Sequence, residues 1–123
     1  METSILRSTK KVLGIDPDDQ TFDIDIIIFI NSALSTINTL GLGQIQVTDE
    51  SAEWEDIVPD QELLGLIRAI VYLRVRMLFD PPTTSYTQQA MNQQIEELEW
   101  RLNVEREDTE WIDPNSPPIA LGG

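Results

Sequence analysis

The sequence predicts an all-α fold, a small bundle of about four helices around a long central helix, with an extended C-terminal arm. Three observations carry that expectation. Residues 60–80, DQELLGLIRAIVYLRVRMLFD, are apolar around most of a helical circumference. Residues 22–40 and 87–107 hold apolar positions at steps of three and four. Residues 108–123, DTEWIDPNSPPIALGG, hold three prolines and two terminal glycines without periodicity, which a core helix does not tolerate. The expected organisation is a helical domain over 1–107 and an arm over 108–123.

The central helix is framed by its own chemistry. Asp60 is a good N-cap, Gln61 and Glu62 fill the first turn, and Pro81-Pro82 prevents continuation, giving a rod ~28 Å long at ~1.5 Å per residue. Leu63, Leu66, Ile67, Ile70, Leu73, Met77 and Leu78 share a broad face, which Leu64, Val71 and Val75 extend sideways. Such a helix needs neighbours on several sides.

Composition narrows what those neighbours can be for. With 123 residues the chain suffices for one core, and 8 Lys+Arg against 22 Asp+Glu give a net charge of −14. That balance opposes a grip on nucleic-acid phosphates and favours a basic partner or a repelled polyanion. Without Cys or His there is no disulfide, thiolate, histidine base or Cys/His zinc site, and no cofactor is implied. The opening METSILRSTKK lacks a long apolar run, and no stretch reaches ~20 charge-free apolar residues, so the expectation is a soluble cytoplasmic chain that avoids membranes.

In chain order, 4–13 reads as a first helix capped by Thr3 or Ser4, with Ile5, Leu6, Val12 and Leu13 as its apolar side and Gly14 at the left-handed stop. Arg7, Lys10 and Lys11 are expected on its solvated face, complementing the C-terminal dipole; the alternative is contact with an acidic neighbour, another copy included. Residues 16–21, DPDDQT, form a turn with Thr21 as the next N-cap. A calcium loop is rejected: counting from Asp16, the sixth position is Thr21 where Gly is needed and the twelfth is Ile27 where Glu is needed.

The alternation of Phe22, Ile24, Ile26, Ile28 and Ile30 with Asp23 and Asp25 imitates a strand. Length decides for a second helix, because Ala33, Leu34, Ile37 and Leu40 continue at helical spacing to a Gly41/Gly43 stop. Residues 44–59 form a connector, with Ile45 and Val47 extended, Ser51 of capping type, and a helical turn through Trp54. Asp49, Glu50, Glu53, Glu55 and Asp56 make it strongly acidic; a run of acids in a polar loop is normally solvated, so catalysis by paired carboxylates is disfavoured. Trp54 is expected as a lid over the core or an interface anchor.

Within the central helix Arg68 and Arg76 fall on the less apolar side with Tyr72, whereas Arg74 falls amid Leu63, Ile67 and Ile70 and needs a carboxylate or helix-end carbonyls nearby. It is either paired internally or snorkels to water, or it makes a salt bridge across a subunit boundary. After the 80–85 turn, Met91, Ile95, Leu98 and Leu102 make a narrow seam, and Trp100 lies off it, under the connector or against another chain. Trp111, Ile112, Ile119 and Leu121 make the Pro-rich arm more apolar than a solubilising tail requires, as in an extended segment that orders on a partner.

Four features in order resemble a tailed-bacteriophage head-to-tail adaptor, also called a connector or head-completion protein: the opening helix ILRSTKKVLGI; FDIDIIIFINSALSTINTLGLG with its small-residue middle and Gly-Leu-Gly exit; the Trp loop SAEWEDIVP; and ELLGLIRAIVYLRVRMLFDPP leading to a final amphipathic helix. The likeness covers roughly 3–107. It implies a non-enzymatic virion protein at the head–tail interface, assembled in the host cytoplasm as a homo-oligomeric ring, dodecameric in the virion, beneath the portal protein. Such a ring extends the channel for double-stranded DNA without binding it specifically and offers a surface to a stopper or tail-completion protein. On that implication Arg68, Tyr72, Arg74, Arg76 and Trp100 face the next copy, and Trp111, Ile112, Ile119 and Leu121 reach the portal. Asp49, Glu50, Glu53, Glu55 and Asp56 then line the channel with like charge. The alternative reading is an acidic DNA mimic or inhibitor that occupies a basic cleft; a carboxylate enzyme and a plain helical scaffold fit less well.

Overall fold

A computed structural model describes residues 3–38, 45–58 and 60–110, with side chains through Glu105 apart from Asn38. It contains helices α1 (Ile5–Val12), α2 (Asp23–Asn38), α3 (Gln61–Phe79) and α4 (Ser85–Glu110), with one turn of 3-10 helix at Trp54–Asp56 and no strand among the described residues. The Gly41/Gly43 stop and the arm residues Trp111, Ile112, Ile119 and Leu121 lie outside the described residues. The fold is an all-α bundle around α3.

The Asp60 carboxylate accepts from the N–H groups of Glu62 and Leu63 at 2.9 and 3.3 Å, fixing the start of α3, and Asp80 ends it one residue before the prolines. Its Leu63, Leu64, Ile67, Ile70, Val71 and Val75 are buried. α2 and α4 both lie along it. Phe22, just before α2, meets Phe79 at the end of α3 edge to face, with centroids 5.5 Å apart, so those two helices run antiparallel. α4 returns antiparallel as well, its Arg101 and Glu105 level with Glu62 and Leu66, its Asn92 and Ile95 level with Met77 and Leu78.

Ile26, Ile30, Ala33, Leu34 and Ile37 are buried at steps of four, three, one and three, which settles α2 as a helix against the strand-like alternation. α1 closes the core with Ile5 and Leu6, and its entry is pinned to the connector: Ile5 N–H donates to the Ala52 carbonyl at 3.0 Å and Trp54 N–H to the Thr3 carbonyl at 3.1 Å. Gly14 takes the left-handed conformation predicted for the stop, φ 82°.

Several local expectations are corrected. Lys10 is not solvated; it is 2 % exposed, and its Nζ donates to Asp23 Oδ1 at 2.8 Å, tying α1 to the first turn of α2. Ser8 and Thr9 are buried with it, while Val12 stands half in water, so the inner side of α1 is rotated from the apolar stripe. Thr21 does not cap α2: the first helical carbonyl is that of Phe22, which accepts from Ile26 N–H at 3.0 Å, and the Thr21 hydroxyl donates to Asp19 Oδ1 at 2.6 Å. Ser51 likewise serves Asp49, and the turn at Trp54 is held by Asp56, whose carboxylate accepts from Glu53 N–H at 2.9 Å. α4 begins on Thr84, whose Oγ1 accepts from Thr87 N–H at 3.2 Å, and runs through Glu110, so 108–110 continue the helix.

Candidate assembly surface

Trp54 anchors the site from within. Its ring is buried, its Nε1–H donates to Ser8 Oγ at 2.9 Å, and Tyr72 meets it edge to face at 5.6 Å. The Arg68 guanidinium lies 5.4 Å from the ring centroid and reaches the Tyr72 hydroxyl at 3.4 Å. Of the two roles expected for Trp54, the structure has the lid, and it holds Arg68 and Tyr72 in place at the border of the outer side of α3.

Arg74 finds its carboxylate in its own chain: Nε donates to Glu99 Oε2 at 3.1 Å, and Nη2 reaches the same oxygen, clamping α4 onto α3. Arg76, two residues on, is exposed; its carbonyl accepts from Asp80 N–H at 2.8 Å, while its guanidinium has no hydrogen bond or ion pair among the described residues. Trp100 is 67 % exposed, so it is not under the connector. The five sequence-predicted interface residues therefore divide: Arg68, Tyr72 and Arg74 are engaged internally, whereas Arg76 and Trp100 present themselves outward.

The connector acids are all exposed, and most serve local geometry. Glu50 pairs with Arg7 at 3.2 Å, Asp56 holds the Trp54 turn, and Glu55 accepts from Gln61 Nε2 at 2.9 Å. The Ser51 hydroxyl and then its backbone N–H hold the Asp49 carboxyl below the usual aspartate range; Thr21 does the same for Asp19, hydroxyl first. A groove of about 330 Å³ between α1, the 16–20 turn and the connector mixes Arg7 and Lys10 with Asp18, Asp23, Asp49 and Glu50. Among the described residues no group of three or more His, Cys, Asp or Glu is placed to hold a metal ion. No helix among them is long and apolar enough to cross a membrane.

Sequence reasoning missed Asn31, whose side chain accepts from Val47 N–H at 2.8 Å and donates to the Val47 carbonyl at 2.9 Å, replacing a strand partner for the connector. It also missed how much apolar surface α2 leaves in water. Ile24 is 75 % exposed and Ile28 57 %, and Phe22 and Leu78 are also uncovered.

The family model described as "Phage connector protein" matches residues 5–109, which takes in α1 to α4 almost entirely. No curated protein and no solved structure matches the chain.

Proposed function

Because the chain belongs to the phage connector protein family, a structural family of the head–tail junction, we propose that it is the adaptor that assembles as a ring beneath the portal. The observation that carries the reading is the extent of the family match, which crosses the whole helical bundle rather than one motif. The bundle supports it: a core closed around α3 is surrounded by large apolar side chains left in water, on a chain charged enough to stay dispersed until a template gathers copies.

In this reading Arg76 and Trp100 contact the adjacent copy, bordered by Arg68, Tyr72 and Arg74. Trp111, Ile112, Ile119 and Leu121 of the arm reach the portal. The exposed acids Asp49, Glu50, Glu53, Glu55 and Asp56 face the channel, where like charge lets double-stranded DNA pass without adhering. The ring's far side receives the stopper or tail-completion protein.

The test is the native mass of the purified chain, alone and mixed with portal rings from the same source. The expected result is a monomer alone that joins the rings in a fixed ratio, and a chain cut after Glu110 that stays folded but no longer joins. A chain that ignores the portal overturns the adaptor assignment.

A further inference from the structure

Two surfaces of the molecule carry features that its own fold does not use. On α2, Ile24 and Ile28 stand one turn apart on the side opposite the buried Ile26, Ile30, Leu34 and Ile37, with Asp25 exposed beside them. On α3, Gly65, Ala69, Leu73 and Arg76 follow at helical spacing along the side away from the core. A glycine inside a helix is less favourable than alanine. A Cβ at Gly65 would meet nothing within 4 Å, so no neighbour within the described chain calls for the missing side chain. The open space leaves room for a close approach from outside the chain.

The charges on these two surfaces are complementary. No Lys or Arg occurs between Lys11 and Arg68, so α2 lies wholly in the base-free part of the sequence. No Asp or Glu occurs between Glu62 and Asp80, and that span holds Arg68, Arg74 and the exposed Arg76. One face is an isoleucine ridge with an acid; the other opens at Gly65 into a groove whose sides carry Glu62, Leu66, Arg101 and Glu105, and further along holds the exposed Arg76 guanidinium. Two copies of α2 facing each other would instead oppose Asp25 to Asp25.

Resting on the connector reading, we propose that neighbouring copies meet head to tail, the outer face of α2 in one copy lying along the outer face of α3 in the next. Ile24 and Ile28 pack across Gly65 and Ala69 as a ridge into a groove, and Asp25 approaches Arg76. Because the two faces are different patches of one molecule, the contact repeats from copy to copy rather than ending at a dimer, and closes a ring when the rotation between copies divides a full turn.

The chain has no cysteine, so cross-linking starts from zero background. Full-length Ile28→Cys and Ala69→Cys variants are mixed, with and without portal rings, and joined by a short bismaleimide. The expected product is the mixed pair, and the double variant gives a ladder of covalent oligomers. Exclusive Ile28–Ile28 or Ala69–Ala69 products overturn the proposal. So does capture by the portal without any mixed product, which would leave the adaptor reading standing. A ladder from a chain that the portal never captures upholds the contact and removes the adaptor reading. Gly65→Ala is expected to raise the urea midpoint of the free chain, and Gly65→Trp to abolish the mixed product while the chain keeps its helix content. A Gly65→Trp chain that cross-links like the parent overturns the contact.

Discussion

Lys10 is the one buried charged side chain among the described residues, and Asp23 is its partner. Lys10 is 2 % exposed and Asp23 keeps some access to water. Removing the carboxylate strands a buried ammonium, whereas removing the ammonium leaves an acid that can hydrate. Asp23→Asn should therefore destabilise by about 3 kcal/mol, and Lys10→Met by clearly less, since the methionine fills the same space. Urea denaturation of the two variants checks the order; equal losses would show that the pair acts only through packing. At the surface, Asp49 is held below the usual aspartate value by Ser51. A depressed folded value means that this turn's contribution is complete above the ordinary aspartate range and is lost as pH falls through the lowered one. Ser51→Ala should move the Asp49 titration back up, read by carboxyl NMR; an unmoved titration would remove the Ser51 hydroxyl as the leading cause.

Helices were legible wherever a cap, a period and a stop agreed. α3 satisfies all three through Asp60, its leucine and isoleucine face, and the prolines after Asp80. Asp60→Ala should accordingly cost about 1 kcal/mol by freeing the N–H groups of Glu62 and Leu63, measured as a lower urea midpoint with unchanged slope. α1 was legible in position but not in facing. Its eight residues hold too few apolar side chains to fix a stripe, and a buried lysine reads as solvated until its carboxylate partner thirteen residues away is placed beside it. The same limit hid Asn31, because a side chain that completes the hydrogen bonds of Val47 has no local signature. For Arg74 the sequence established the need for an acceptor, a carboxylate or helix-end carbonyls, and only the packing of α4 on α3 identified Glu99. The exposed isoleucines of α2 were invisible for a related reason. A helix apolar on most sides reads as buried, and which side remains in water depends on how many neighbours arrive.

At the scale of the whole molecule, a net charge of −14 makes two copies repel before they touch. The proposed contact is apolar at its centre, with Asp25 and Arg76 at an exposed edge where an ion pair contributes only about 0–1 kcal/mol. Salt should therefore favour assembly. Raising ionic strength from about 10 mM to about 150 mM shortens the screening length from about 30 Å to about 8 Å, which removes long-range repulsion and leaves the isoleucine contact intact. The rate of the Ile28–Ala69 cross-link should rise over that range. A DNA mimic seated in a basic cleft has the opposite slope, because its attraction is the term that salt screens. Cross-linking that falls steeply with salt would mean that charge rather than apolar surface holds the copies together. Ile28→Ser separates the two remaining possibilities: with an apolar contact it lowers association at every salt concentration, and with a purely ionic one it leaves association unchanged.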